Sequence, residues 1–246
     1  MNAGTRRCCG KLAWPPYCPP LDGRWGFAYA INQAGWVVGI SSVSTGVPFH
    51  ATMWVDGTPI DLGTLPGGSL SEAHAINDKG HVAGYSYNQQ DLVRATVWRG
   101  AKVVELGTLG GLHSVAWAPN GRGQVVGWSL TAQGDLHATL WDGKAATDLG
   151  TLPGRDLSHA YGINDAGVAV GTSFVEKAYE FLGQRATMWK NGAIIDLNTL
   201  LDDETRAAGW FLRVAYAIND HGVITGTATN TIAHESHAFL LTPPAP

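Results

Sequence analysis

One short pattern occurs five times along this chain of 246 residues, and it limits the possible folds more than any other feature. The second copy, residues 73–80, reads Ala-His-Ala-Ile-Asn-Asp-Lys-Gly, and the other copies start at residues 28, 116, 160 and 215. The glycines that close the copies are 45, 43, 44 and 55 residues apart. A period of about 40–50 residues is typical of stacked repeats, in which no unit could bury its own apolar surface alone. The pattern therefore predicts a single domain built from repeats.

Each repeat is predicted to form four short strands. In the second repeat we expect them at residues 71–77, 81–86, 93–98 and 102–106, with a tight turn at the Asn-Asp-Lys-Gly sequence. A glycine recurs inside the second strand, where we expect it to let one sheet stack closely on the next. These glycines are Gly39, Gly84, Gly127, Gly171 and Gly226. An Ala-Thr-x-Trp pattern in the third strand predicts four buried tryptophans. They are Trp54, Trp98, Trp141 and Trp189.

Five similar four-stranded units predict an all-β fold, a five-bladed β-propeller, with an open β-solenoid as the alternative. The predicted repeats are residues 25–68, 69–111, 112–155, 156–201 and 202–246 of one domain, preceded by an N-terminal segment, residues 1–24. The fifth repeat has no fourth strand after Leu241. We expect residues 11–17 to supply it and close the ring, because the outermost strand is an edge that tolerates proline. In this alignment Pro20 corresponds to Leu65.

The repeated motifs resemble those of a known family. The pattern Ala-x-Ala-Ile-Asn-x-x-Gly-x-Val-x-Gly, then Ala-Thr-x-Trp, then Asp-Leu-Gly-Thr-Leu-x-Gly-Gly is similar to the HAF repeat family of bacterial, mostly extracellular proteins. The resemblance covers residues 26–241, and the third copy departs from it at Pro119 and Gly121. It implies a repeat scaffold with an extracellular or periplasmic location and no particular chemistry. The first 20 residues contain no apolar segment of the signal-peptide type.

Charge, composition and motifs exclude several classes of function. The net charge is −4 and no basic stripe occurs, which argues against a nucleic-acid partner. No apolar run reaches the roughly 18–20 residues that a membrane span needs. The three cysteines, at positions 8, 9 and 18, do not have the spacing of a metal site. No established nucleophile, zinc, phosphate-loop or calcium-loop motif is present.

Function is expected where the repeats differ, because the residues that all repeats share build the scaffold. In a propeller, the residues before each shared alanine would surround one mouth of the channel. The ionisable ones there are Glu72, His113, His159 and Arg213. Three serines share a register beside them and are predicted either to bind ligand, together with Glu72, or to be structural. They are Ser71, Ser114 and Ser158. The aromatic or histidine residue inside each copy is interpreted as packing.

Two functions remain open from the sequence. In the first, carboxylates hold Ca²⁺, His113 and His159 relay protons, and Arg213 stabilises an oxyanion. The predicted metal ligands are Glu72, Asp202, Asp203 and Glu204. This hypothesis describes a metal-assisted hydrolase of small esters or lactones, by fold-level analogy with propeller lactonases. The alternative is a non-catalytic propeller that binds a carbohydrate, a peptide or a surface partner. A metal at the mouth would favour the hydrolase, and an exposed row of aromatic side chains would favour the binding protein.

Overall fold

The structure is a computed structural model that describes residues 18–22, 24–43, 48–175 and 183–243. Its chain divides into two compact units. The first contains residues 1–107 and 112–121, and the second contains residues 108–111 and 122–246. Within the described ranges, no helix has the length and apolar character required to cross a membrane.

Two antiparallel four-stranded sheets form most of the first unit. The first sheet has the order β1-β2-β3-β4. Its strands are β1 (Gly26–Ile31), β2 (Val37–Ser42), β3 (Phe49–Val55) and β4 (Thr58–Asp61). The second sheet has the order β5-β6-β7-β8. Its strands are β5 (Ser71–Ile76), β6 (His81–Tyr87), β7 (Val93–Arg99) and β8 (Lys102–Glu105). Each sheet is therefore one repeat.

The remaining three repeats continue the same pattern. The third sheet has the order β12-β11-β10-β9, the fourth β13-β14-β15-β16 and the fifth β17-β18-β19. The third contains β9 (Gly110–Pro119), β10 (Val125–Thr131), β11 (Leu136–Asp142) and β12 (Ala145–Asp148). The fourth contains β13 (Leu157–Ile163), β14 (Ala169–Phe174), β15 (Arg185–Lys190) and β16 (Ala193–Asp196). The fifth contains β17 (Trp210–Ile218), β18 (Ile224–Asn230) and β19 (Glu235–Leu241).

The predicted all-β fold with five repeated sheets is confirmed. A 3₁₀ helix, Leu197–Leu200, and a short α-helix, α1 (Asp203–Ala207), connect the fourth sheet to the fifth. The fifth sheet has three strands within the described residues, as the sequence after Leu241 predicted. The closing strand that was predicted at residues 11–17 lies outside the described residues, so ring closure stays a prediction.

The recurring glycines of the second strand do allow a close backbone approach, but within a sheet and not between sheets. A Cβ atom on Gly84 would lie 1.9 Å from the backbone oxygen of Glu72, and one on Gly39 would lie 1.9 Å from that of Phe27. Both oxygens belong to the first strand of the same sheet. That strand carries a β-bulge at this place, which pushes its backbone toward the neighbouring strand. The expectation that these glycines let one sheet stack on the next is therefore wrong.

The tryptophans of the third strand form the core, as predicted. Trp54, Trp98, Trp141 and Trp189 are between 0% and 4% exposed. The indole of Trp98 donates a hydrogen bond at 3.3 Å to the backbone oxygen of Gly63, in the connection that leads into its own repeat. Such a residue buries about 150–250 Å² of surface. Each tryptophan therefore contributes apolar packing.

Residues 19–21, at the described end of the N-terminal segment, make the hydrogen bonds with the first repeat that residues 63–65 make with the second. Trp54 Nε1 donates to the backbone oxygen of Pro19 at 2.6 Å, as Trp98 donates to that of Gly63. The backbone nitrogen of Leu21 donates to Ser41 Oγ at 2.8 Å, and Leu65 makes the matching bond in the second repeat. Leu21 therefore corresponds to Leu65. The alignment of Pro20 with Leu65 was one residue out of register.

Candidate functional site

The three serines predicted to bind ligand are completely buried. Ser71 Oγ accepts from the backbone nitrogen of Ala51 at 2.9 Å and donates to the backbone oxygen of Gly63 at 2.8 Å. Ser158 repeats this arrangement, and Ser114 accepts from the backbone nitrogen of Ala95 at 3.0 Å. Each hydroxyl thus joins its own repeat to the preceding one. A ligand-binding role does not fit this placement, because the serine side chains have no exposed surface.

Glu72 lies on β5 among hydrogen-bond donors of the first unit. Tyr85 donates its hydroxyl proton to Glu72 Oε2 at 2.8 Å, and His74 Nε2 lies 3.5 Å from Oε1. The hydrogen bond from His74 lowers the pKa of Glu72, burial opposes it, and bonds from Tyr85 and Tyr29 lower it further. Burial and the contact with Glu72 raise the pKa of Tyr85. Glu72 is therefore ionised at neutral pH and keeps 23% of its side chain exposed.

His74 is fixed by the next repeat of the same unit. Its Nδ1 donates to the backbone oxygen of Ala116 at 2.9 Å. Its ring stacks on that of Trp117, with the ring centres 4.2 Å apart and the planes at 15°. The His74 side chain is 9% exposed. The interpretation of this position as packing is confirmed for His74.

The equivalent position in the first repeat is exposed. Tyr29 is 48% exposed, and two aromatic residues that precede it in the sequence, Phe27 and Trp25, are 50% and 63% exposed. Burial and the nearby Glu72 carboxylate raise the pKa of the Tyr29 hydroxyl. Trp25, Phe27, Tyr29 and the adjoining Glu72 are called here the β1 aromatic surface. The sequence did carry a signal for it, since every copy has an aromatic residue or histidine at the position of Tyr29.

The β-bulge of the first strand determines which side chains can belong to this surface. In the first repeat Ala28 pairs with Gly39 and Ala30 pairs with Val38, so Tyr29 is the extra residue of the bulge. His74, Tyr161 and Tyr216 are the extra residues in the second, fourth and fifth sheets. A bulge leaves its extra residue unpaired and redirects side chains. Each of these four repeats therefore carries one aromatic or histidine ring on the unpaired residue of its bulge.

His113, one of the predicted proton carriers, also lies in the first unit. Its Nδ1 accepts a hydrogen bond from the backbone nitrogen of Val93 at 3.3 Å, and its side chain is half-buried. The hydrogen bond joins β9 to the start of β7 in the preceding repeat. His113 is thus at least partly a structural residue.

His159 and Arg213 belong to the second unit. Burial lowers the pKa of His159 to about 4, and Tyr161 OH lies 3.1 Å from its Nδ1. Its ring lies 5.9 Å from that of Trp128 and 5.5 Å from that of Phe174. Arg213 Nη2 donates to Gln184 Oε1 at 2.7 Å, and burial lowers the pKa of Arg213. His159 is therefore a neutral, packed residue at pH 7.

Three of the four acidic residues predicted to bind Ca²⁺ lie at the N-terminal end of helix α1. Asp202 Oδ1 caps this helix by accepting from the backbone nitrogen of Thr205 at 2.6 Å. Asp203 pairs with Arg206 at 2.6 Å, and Glu204 lies in the first turn. Across the described ranges, no group of three or more His, Cys, Asp or Glu side chains could hold a metal ion. The helix cap and the ion pair give two of the acids structural partners.

Comparisons with known proteins identify the fold only. No family model and no curated protein matches the sequence. The chain is similar to the β-propeller domain of the Trilobed protease from Pyrococcus furiosus, which has an open velcro topology, with a TM-score of 0.51 and 11% identity. That match covers 83% of this chain, which spans only 62% of the other. A triple arginine-to-alanine mutant of AofleA from Arthrobotrys oligospora also matches, with a TM-score of 0.45, 12% identity, and coverage of 87% and 67%. The first similarity supports the propeller assignment.

Proposed function

We propose that this protein is a non-catalytic binding propeller and that it recognises a neutral carbohydrate at the β1 aromatic surface. One observation carries the proposal: three aromatic side chains within residues 25–29 are 48–63% exposed, and one of them, Tyr29, is near an ionised carboxylate, Glu72. Ligand sites are lined mainly by apolar and aromatic side chains, with a few polar groups that fix orientation. The propeller fold is compatible with binding and with catalysis, so the function has to be argued from the side chains of the site.

The chemistry of the surface suits a sugar. The apolar face of a sugar ring can stack on Tyr29 or Trp25, and Glu72 can accept hydrogen bonds from hydroxyl groups. A carboxylate has about four acceptor positions, and the contacts with Tyr85, Tyr29 and His74 leave acceptor capacity on Glu72. These donors also offset the charge of Glu72, so the surface favours a neutral polyol over a cation. His74 and Tyr85 hold the carboxylate in place before the ligand arrives, which lowers the cost of binding.

Binding to an array of neutral oligosaccharides, followed by calorimetric titration of the best ligand, tests the proposal. We expect Tyr29→Ala and Glu72→Gln each to weaken binding at least tenfold, which corresponds to about 1.4 kcal/mol. Tyr216→Ala is the matched control. Tyr216 occupies the same bulge position and is 52% exposed, but it contacts Tyr161 and belongs to the second unit. Equal loss in all three variants, or no neutral oligosaccharide bound at all, would refute the proposal.

The metal-assisted hydrolase of esters or lactones stays a second hypothesis. It assigns proton transfer to His113 and His159, oxyanion stabilisation to Arg213, and Ca²⁺ to Glu72 and the acids around α1. The hydrogen bond to His113 and the burial of His159 weigh against it. A screen of lactones and chromogenic esters, with added Ca²⁺ or with a chelator, tests it directly. Turnover that disappears with chelator and in His113→Ala would establish the hydrolase.

The family and the location are also part of the proposal. The phased motifs support membership of the HAF repeat family, and that family implies an extracellular or periplasmic protein. A carbohydrate ligand agrees with such a location. Fractionation of the native host, with detection of the protein by antibody, tests the location separately from binding.

A further inference from the structure

We infer that a cavity of the second unit is a separate site for the carboxylate of an acidic sugar, a uronate. The inference deepens the proposed function, because it rests on sugar binding, but it concerns other residues. The cavity has a volume of about 330 Å³, which is within the lower range of ligand pockets. Its walls include Arg185, Arg206, Trp210, Phe211 and Thr231.

Arg185 differs from the equivalent residues of the first three sheets. In those sheets the residue before the Ala-Thr-x-Trp motif is basic and pairs with an acid at the end of the fourth strand. The pairs are His50 with Asp61 at 2.9 Å, Arg94 with Glu105 at 2.6 Å, and His137 with Asp148 at 2.7 Å. Arg185 occupies this register in the fourth sheet and Asp196 is the corresponding acid. Among the described residues, however, Arg185 forms no ion pair.

The fourth repeat also differs from the others in the motif that contains Asp196. The motif Asp-Leu-Gly-Thr-Leu has Asn198 in place of glycine in the fourth repeat. Asp196 Oδ1 accepts from the backbone nitrogen of Asn198 at 2.9 Å and from its Nδ2 at 2.7 Å. The acid thereby caps the 3₁₀ helix. The backbone bond has counterparts at Asp61 and Asp148, so the asparagine side chain is the additional donor that distinguishes Asp196 from these acids.

The guanidinium of Arg185 is instead held over an aromatic ring at the cavity. Its Cζ lies 5.6 Å from the ring centre of Phe211, a cation–π contact that fixes the group without neutralising it. Arg206, the other basic residue of the cavity, is paired with Asp203. Within the described part of the chain, one positive charge at the cavity therefore has no acidic partner, which matches a monoanion better than a phosphate. The planar guanidinium fits a carboxylate through two parallel hydrogen bonds.

The other walls match the remainder of a sugar acid. Trp210 and Phe211 provide aromatic surface for the ring of the ligand, and the Thr231 hydroxyl, which donates to the backbone oxygen of Gly209 at 3.1 Å, can still accept a hydrogen bond. The 55-residue spacing of the last two copies creates this site, because the extra residues include α1 and the chain that follows it. The cavity therefore lies where the repeat pattern is broken.

Calorimetric titration with glucuronate, glucose and sulfate tests the inference on the complete chain. We expect wild type to bind glucuronate at least tenfold more tightly than glucose or sulfate, with affinity that falls as salt is added. Arg185→Gln should remove this preference, and Arg185→Lys should weaken it because lysine lacks the planar fork. Arg94→Gln is the matched control, since Arg94 has the same register and is already paired. Tyr29→Ala should leave glucuronate binding at this cavity unchanged.

The outcomes separate this site from the β1 aromatic surface. Loss of glucuronate preference only in the Arg185 variants, with unchanged melting temperatures, supports the inference. Equal binding of glucuronate and glucose overturns it, as does sulfate binding as tightly as glucuronate. Glucuronate binding that depends on Tyr29 but not on Arg185 would also overturn it, while leaving the proposed function in place.

Discussion

Replacing Asn77, the asparagine of the second repeat turn, is expected to destabilise the first unit by more than an ordinary turn substitution. Asn77 Nδ2 donates to the backbone oxygen of Asn120 in the next repeat at 2.8 Å. Its Oδ1 accepts from the backbone nitrogens of Lys79 at 3.0 Å and His81 at 2.9 Å. The residue is 9% exposed. One side chain therefore closes its own hairpin and binds the neighbouring repeat.

The magnitude follows from these three hydrogen bonds. Each contributes about 1 kcal/mol net, so Asn77→Ala should lower the free energy of unfolding by about 3 kcal/mol. Asn77→Asp keeps both acceptor bonds but places a carboxylate oxygen against the backbone oxygen of Asn120 at a buried site, so it should cost at least as much as alanine. Asn88→Ala is the control. Asn88 Oδ1 accepts from the backbone nitrogens of Gln90 and Leu92 at 3.0 and 3.1 Å in a partly exposed loop, where water can replace it.

Urea denaturation followed by tryptophan fluorescence measures the difference. With a dependence on urea of about 3 kcal/mol per molar, Asn77→Ala should lower the midpoint by about 1 M. Asn88→Ala should lower it by much less. If the two alanine variants have the same midpoint, the bond to the next repeat contributes nothing measurable and the reasoning is wrong.

Three further predictions use the same kind of measurement. Trp98→Ala should cost about 3–5 kcal/mol, as for other large buried aromatic residues, and an unchanged denaturation midpoint would contradict its burial. Gly84→Ala should prevent folding of the first unit, because its Cβ would lie 1.9 Å from the Glu72 backbone oxygen; a soluble variant with the wild-type circular dichroism spectrum would contradict the bulge. His159 has a pKa of about 4 in the folded protein and about 6.5 when unfolded. Between these two pH values the unfolded state therefore binds more protons than the folded state. Wild type should lose up to about 3 kcal/mol of stability as pH falls through this window. His159→Gln should show a flatter dependence of the melting temperature on pH in thermal melts at pH 4, 5 and 7.

The repeat predicted the fold well because its signals are local. A turn that needs a positive φ at its glycine, as at Gly80 (φ 75°), can be identified from a few adjacent residues. Four tryptophans at one register likewise predict a core without knowledge of their partners. The links between repeats could not be predicted in this way. Ser71 and Asn77 bind backbone groups of neighbouring repeats, and a backbone group carries no signature in the sequence.

The candidate site was harder to predict because the strand that carries it is irregular. In a regular strand, successive side chains point to opposite faces, so one buried position assigns all the others. The bulge between Ala73 and Ala75 breaks this alternation, and no glycine at that place in the sequence indicates that a bulge is present. An alternation counted from Ile76, beyond the bulge, therefore could not be carried back to Ser71, which is buried, and Glu72, which remains partly exposed. The cavity at Arg185 could not be predicted either. The exchange of glycine for Asn198 and the absence of an ion pair at Arg185 become informative only once the ion pairs in the first three sheets are known.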